Sequence, residues 1–300
     1  MKKYLLPLQQ LEALNFELND IANTLTSPVI IVGGQSVSYW YTFYESSIPD
    51  FDLAPLASVD IDYIAQKIDI NAIATKWNVD IEMASVDDAP PSVAVAILND
   101  RSTHEIKIFD GQYFLDVDEL IEGISMPNIV DFIDAPAGFQ IEDVKLDHIR
   151  KYLTVPYEFS ASFDIAPNSN ILILNPIGCL KSRFANMLHT NKPKTIELLR
   201  IESLKYPIIY FFQDLHEDGD FRNVRRHIAV LSEILLSETA IQLLTGFDVD
   251  FRNVFNHIVT TASGGQTYHE KDAPILIGKL NDRYEKRLKS HMAFINRNNK

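Results

Sequence analysis

Asp60 and Asp62 flank a single apolar residue in "SVDIDY", residues 58–63, and Gly33 and Gly34 close the earlier apolar run "PVIIVGG", residues 28–34. In an extended strand alternate side chains share a face, so the two carboxylates point the same way, with Cβ atoms about 7 Å apart. Like charges at that spacing repel unless a cation joins them. A hard divalent ion, Mg²⁺ or Mn²⁺, takes one or two carboxylates and completes its shell with phosphate oxygens and water. The glycine pair supplies the complement. Backbone without Cβ atoms lets a polyphosphate approach, and a following helix offers its positive end. Gln35, Ser36 and Ser38 after the glycines and Ser58 before the acids add polar groups. The expectation is phosphoryl or nucleotidyl transfer, with a nucleoside triphosphate as co-substrate and the metal on Asp60 and Asp62. The competing reading is that both acids line the polar face of an edge strand.

The elements that would position these groups follow from periodicity. Residues 8–25 place Leu8, Leu11, Leu14, Phe16, Leu18, Ile21 and Leu25 at roughly helical spacing. "PVIIVGG" suits a strand buried on both faces. The spacing predicts a short aromatic helix over "QSVSYWYTFY" and a loop with two prolines over "ESSIPDFDLAPLA". It then predicts a strand over "VDIDYIA", a helix over "INAIATKWN" and a strand over "VDIEMAS". "SVAVAIL" and "HEIKIF" read as antiparallel strands joined by "NDRST". Residues 125–170 mix prolines, acids and aromatics and read as a linker or insertion with some helix. "NILILNP" is a further strand, and nearly everything after "IGCLKSRFANML" reads as helix. The expected fold is α/β (α+β): a mixed sheet flanked by helices over residues 1–175, then a helical bundle over 176–300.

Charge is divided unevenly along the chain. Residues 1–150 carry 8 Lys/Arg against 25 Asp/Glu, and residues 151–300 carry 19 against 16, within an overall formal charge of −14. That division suits an acidic metal-binding half and a helical half able to meet an anionic partner. The overall acidity argues against sequence-specific or promiscuous DNA binding, which draws on phosphate neutralisation. The single cysteine, Cys179, permits no internal disulfide and fits a reducing cytoplasm; it also excludes a four-cysteine zinc site. No apolar run is long enough for a membrane span, and Pro7 interrupts the N-terminal apolar stretch, so neither membrane association nor a secretory signal is expected. The aromatic run Tyr39, Trp40, Tyr41, Phe43, Tyr44 reads as packing more readily than as a base-stacking platform.

The glycine pair and the acid pair, in this order, resemble the nucleotidyltransferase superfamily that includes DNA polymerase β and the minimal nucleotidyltransferases. The family's h-G-G/S and S/T-x-D-h-D motifs read here as "VGGQS" and "SVDIDY". "IKIFDGQYFLDVDEL" and "NPIGCLKSRFANML" are similar to stretches of bacterial abortive-infection toxins of that superfamily. The resemblance covers residues 28–120 and 172–190. It implies catalysis through Asp60 and Asp62 and nucleotide binding at Gly33, Gly34, Gln35, Ser36, Ser58 and Lys181. The implied acceptor is a hydroxyl on RNA, a tRNA end among them, or on a protein, with a cognate antitoxin as a partner. Two departures stand out. The family's third metal-binding acid, in a strand of the form h-D-F-L, aligns with Lys107, with Glu105 two residues earlier as its stand-in. Leu56 occupies about the place of the family's arginine. With Lys107 in the third position, the alternative is a catalytically degenerate module that binds a nucleotide or a partner.

Overall fold

The computed structural model describes residues 3–53, 56–85, 92–117, 126–261 and 268–298. Its elements run α1 (Pro7–Asn19), β1 (Val29–Val32), α2 (Gly33–Phe43), β2 (Ile61–Ile64), α3 (Lys67–Trp77), β3 (Val79–Met83), β4 (Ser92–Asp100), β5 (Ile108–Phe109) and β6 (Gln112–Tyr113). Then come β7 (Ile129–Ile133), α4 (Ile141–Lys145), α5 (Asp147–Arg150), β8 (Thr154–Tyr157), β9 (Asn168–Leu174) and α6 (Pro176–His189). Six more helices complete the chain: α7 (Lys194–Ser203), α8 (Lys205–Glu217), α9 (Phe221–Leu235), α10 (Glu238–Phe247), α11 (Arg252–Thr261) and α12 (Ala273–Asn298). This is the expected mixed sheet flanked by helices, followed by a helical stretch. The chain divides into two compact units, Met1–Phe43 with Pro49–Cys179, and Tyr44–Ile48 with Leu180–Lys300.

The first unit is built on a seven-stranded sheet in the order β3-β4-β7-β2-β1-β9-β8. β1 runs antiparallel to β2 and parallel to β9, and β2 runs parallel to β7. The remaining neighbours, β7 with β4, β4 with β3 and β9 with β8, are antiparallel. β7 corrects the reading of residues 125–170 as a linker or insertion. The stretch contributes short helices, as expected, but also two strands of the sheet, β8 at its edge and, inside it, β7, with Val130 and Phe132 fully buried. The acid at its centre hides this strand from a hydropathy reading, because a polar side chain interrupts what would otherwise be a continuous apolar run.

One face of the sheet is covered by α1 and α3. Tyr63 of β2 and Phe132 of β7 point to it and meet Trp77 of α3, with ring centroids 5.7 Å and 5.9 Å from the indole. Trp77 Nε1 donates to Leu14 O of α1 at 3.0 Å, which fixes the two helices against each other. Leu11, Leu14 and Leu18 are fully buried at the spacing of one helical stripe. α3 stops at Asn78, whose left-handed backbone (φ 54°) returns the chain into β3.

In the second unit, α9 buries Val224, His227, Ile228, Leu231, Ile234 and Leu235 along one stripe. Asp220 caps α9 by accepting from Asn223 N at 3.0 Å, and Ser237 caps α10 by accepting from Ala240 N at 3.1 Å. Glu197 is fully buried between Arg183 at 3.3 Å and Arg200 at 3.2 Å. Among the described residues no single helix is long and apolar enough to cross a membrane.

Candidate active site

β1 delivers the chain into Gly33, where the backbone turns with φ +72° and α2 begins at once. An L-side chain rarely adopts that conformation. Space forbids one as well: a Cβ on Gly33 would lie 1.8 Å from Asp62 Oδ2. The Asp62 carboxylate therefore rests directly against the backbone at the start of α2. There the first N–H groups of a helix have no intrahelical acceptors, and its dipole favours negative charge.

Asp62 pairs in register with Val32 of β1 on one side and with Asp131 of β7 on the other. Side chains at paired positions of adjacent strands share a face, with strands about 4.8 Å apart. Asp62 and Asp131 thus stand side by side on the face opposite Tyr63 and Phe132. Both are half-buried, and Ile97 and Ile129 form a partly exposed apolar ledge on the same face. Two carboxylates about 5 Å apart at an effective dielectric near 20 repel by roughly 3 kcal/mol when taken alone. That is a large fraction of a domain's net stability. Asp60 lies one residue before β2 and is exposed.

The segment leading to Asp60 is clamped by three side chains that donate to its carbonyls. Ser38 Oγ donates to Leu56 O at 2.8 Å, Gln35 Nε2 to Ser58 O at 2.7 Å, and Asn128 Nδ2 to Val59 O at 3.0 Å. Ser36 Oγ donates to Gly33 O at 2.9 Å. Gln35 and Ser36 are fully buried and Ser58 nearly so. The polar residues next to the two motifs thus hold glycine turn, acid segment and β7 in one frame.

The structure does not bring Glu105 or Lys107 to the two acids. Glu105 is exposed near the tip of the β4 hairpin, its carbonyl accepting from Asp100 N at 2.8 Å, five residues beyond Val95, the partner of Asp131. Lys107 is buried under the helix-covered face. Its Nζ donates to Glu17 Oε1 of α1 at 3.0 Å and to Trp77 O of α3 at 2.8 Å. Burial holds the Glu17 carboxyl above its usual range, and the Lys107 ammonium partly offsets that rise. Lys181 lies on α6 in the second unit, half-buried.

Asp131 is the residue the sequence reading missed. Its signal was present: "VDFI" has the apolar–acid–aromatic–apolar order expected of the third-acid strand, but in a segment set aside as a linker. Among the described residues no group of three metal-ligating side chains is gathered in one place. Two adjacent carboxylates nevertheless match what Mg²⁺ takes from a protein when phosphate oxygens and water supply the rest. No protein-family model matches the chain, and no curated protein or solved structure matches it either.

Proposed function

We propose that the chain is a metal-dependent nucleotidyltransferase, and the observation that carries this reading is the registered pair Asp62–Asp131 beside Gly33. In this reading Asp62 and Asp131 hold Mg²⁺ or Mn²⁺, with Asp60 as an outer carboxylate able to join them. Held there, the ion would supply positive charge to phosphate oxygens and to a leaving pyrophosphate. The chain's own contribution is positional. Gly33 opens the backbone to the triphosphate, and the start of α2 presents its N–H groups and dipole to phosphate oxygens. The clamp through Gln35, Ser38 and Asn128 fixes Asp60 and Asp62 relative to that turn. The acceptor hydroxyl would belong to RNA or protein, in the cytoplasm, and a cognate antitoxin is the partner that the resemblance suggests.

The degenerate-module reading rested on Lys107 in the third acid's place. Lys107 is paired to Glu17 on the other face and Asp131 stands beside Asp62, which favours the transfer reading. The test is transfer of label from α-labelled nucleoside triphosphates to total RNA and protein. Mg²⁺-dependent incorporation that falls roughly 10²–10³-fold in Asp131→Asn, as for loss of a group acting on transition-state charge, supports the proposal. Incorporation that survives Asp131→Asn and Asp62→Asn overturns it.

A further inference from the structure

The acidic half of the chain contains few cations. Residues 1–150 hold 8 Lys/Arg: Lys2, Lys3, Lys67, Lys76, Arg101, Lys107, Lys145 and Arg150. Four of these are paired with carboxylates: Lys76 with Asp20, Arg101 with Asp80, Lys107 with Glu17 and Arg150 with Asp147. Lys67, Lys145 and that same Arg150 line one cavity of about 250 Å³. Its floor includes Ile30 of β1 and Ile64 of β2. Ile64 is two residues past Asp62, so by strand alternation it lies on the carboxylate face, roughly 7 Å further along. The cavity thus shares a face of the sheet with the candidate active site and opens toward the other end of the same strands.

Its chemistry is that of an anion site. Lys67 is the first residue of α3, an 11-residue helix, so the helix's positive end adds to its ammonium. The acid in that first turn, Asp69, is already engaged, accepting from Thr26 N at 3.0 Å and Thr26 Oγ1 at 2.7 Å. Arg150 is held as a fixed wall, paired to Asp147 and donating from Nη1 to Val144 O at 3.3 Å. Lys67 and Lys145 carry no ion pair with any described residue. Among the described residues that line the cavity, the one acid is Asp134, which is exposed. A strongly negative surround disfavours an extended phosphate backbone and leaves a confined pocket suited to one phosphate group.

We propose that the Lys67–Lys145–Arg150 cavity binds a phosphate monoester carried by the acceptor, at a nucleotide or oligonucleotide end; its assignment to an acceptor rests on the nucleotidyl-transfer reading above. The test uses the full chain with chelator present. It is titrated with a short oligoribonucleotide bearing a terminal phosphate, with the same oligonucleotide dephosphorylated, and with inorganic phosphate. The expected result is a preference of roughly tenfold for the phosphorylated form, as for a few charge-assisted hydrogen bonds. That preference should vanish in Lys67→Gln/Lys145→Gln and persist in Lys3→Gln. Both lysines of the double variant are exposed, so the fold is retained. Equal affinity for both oligonucleotides, or a preference unchanged in the double variant, overturns the pocket. Inorganic phosphate binding as tightly as the phosphorylated oligonucleotide overturns its assignment to an acceptor. The two readings fail separately. Preference for the terminal phosphate without any label transfer defeats the transfer reading alone. Label transfer indifferent to both lysines and to the terminal phosphate defeats the pocket alone.

Discussion

The two faces of the central sheet treat charge in opposite ways. On the helix-covered face each polar group named above meets its complement: Lys107 meets Glu17, the Tyr63 hydroxyl meets Asn15 Oδ1 at 2.8 Å, and the Trp77 indole meets a carbonyl of α1. On the other face two carboxylates of like sign stand in register beside a glycine that has no room for a side chain. Folding alone explains the first pattern, since a buried polar group must be hydrogen-bonded. The second places two like charges side by side, which repel when taken alone. Such a placement, beside a glycine turn and a helix start, is what a bound cation and its phosphate ligand would compensate.

The largest expected effect breaks the open face chemically. Asp62→Asn and Asp131→Asn should each abolish transfer by the roughly 10²–10³ given above while leaving thermal stability equal to or above that of the parent, because like-charge repulsion is relieved. Asp60→Asn, at an exposed position, should act more weakly. Equal losses of activity and stability in all three variants would make the acids structural. Gly33→Ala comes next. It places a Cβ at φ +72° and drives the Asp62 carboxylate away, so folding should weaken by about 1–3 kcal/mol, read in a urea titration. Transfer should fall as far as in Asp62→Asn. A Gly33→Ala chain with normal transfer would show that the close approach is dispensable.

This contrast also marks what the sequence could reveal. β1, α2, β2, α3 and β3 follow from period and punctuation, since each is an uninterrupted pattern bounded by Gly, Pro or polar residues. The glycine turn and Asp62 were legible because they lie close in sequence to those patterns. Asp131 was not, because what makes it a partner of Asp62 is a parallel pairing between strands some seventy residues apart, and local spacing carries no register information for such a pair. Lys107 was misplaced for the complementary reason. The strand expected over "HEIKIF" shrinks to β5, so Lys107 lies outside any strand, and its surroundings are set by the packing of Glu17 and Trp77 around it. Gln35, Ser36 and Ser58 were read as ligand groups from their place beside the motifs. They are buried, and Gln35 and Ser36 donate to backbone carbonyls of the acid segment and the glycine turn.

The covered face can be broken in its own terms with Lys107→Met. The substitution keeps the length of the side chain but removes the partner of a carboxyl that burial already holds above its usual range. Breaking such a pair costs roughly 3 kcal/mol at neutral pH, toward the lower end for buried pairs because Glu17 keeps 21% of its side chain exposed. The pH dependence has a definite sign. Without Lys107 the Glu17 carboxyl rises further above its unfolded value near 4.3, so the folded state binds the proton more tightly than the unfolded state does. Stability is then highest below that value and falls as pH rises through the folded one. The gap between Lys107→Met and the parent should narrow toward pH 4 and widen toward pH 8 in urea midpoints. A gap independent of pH would mean that Glu17 takes no part.

The smallest effect tests whether the two faces are independent at all. Tyr63 and Asp62 are adjacent in β2 yet point to opposite sides, and burial pushes the Tyr63 phenol well above its ordinary range, so it remains a neutral donor to Asn15 across the accessible pH span. Tyr63→Phe keeps the ring between Trp77 and Phe132 but leaves the Asn15 carbonyl without that donor, at a cost of roughly 1–2 kcal/mol. If the faces are energetically separate, transfer by Tyr63→Phe equals that of the parent. The stability changes of Tyr63→Phe and Asp131→Asn should then add to within about 0.5 kcal/mol in the double variant. Coupling beyond that would mean that packing against α1 and α3 sets the register of the carboxylates, making the covered face part of the site it backs.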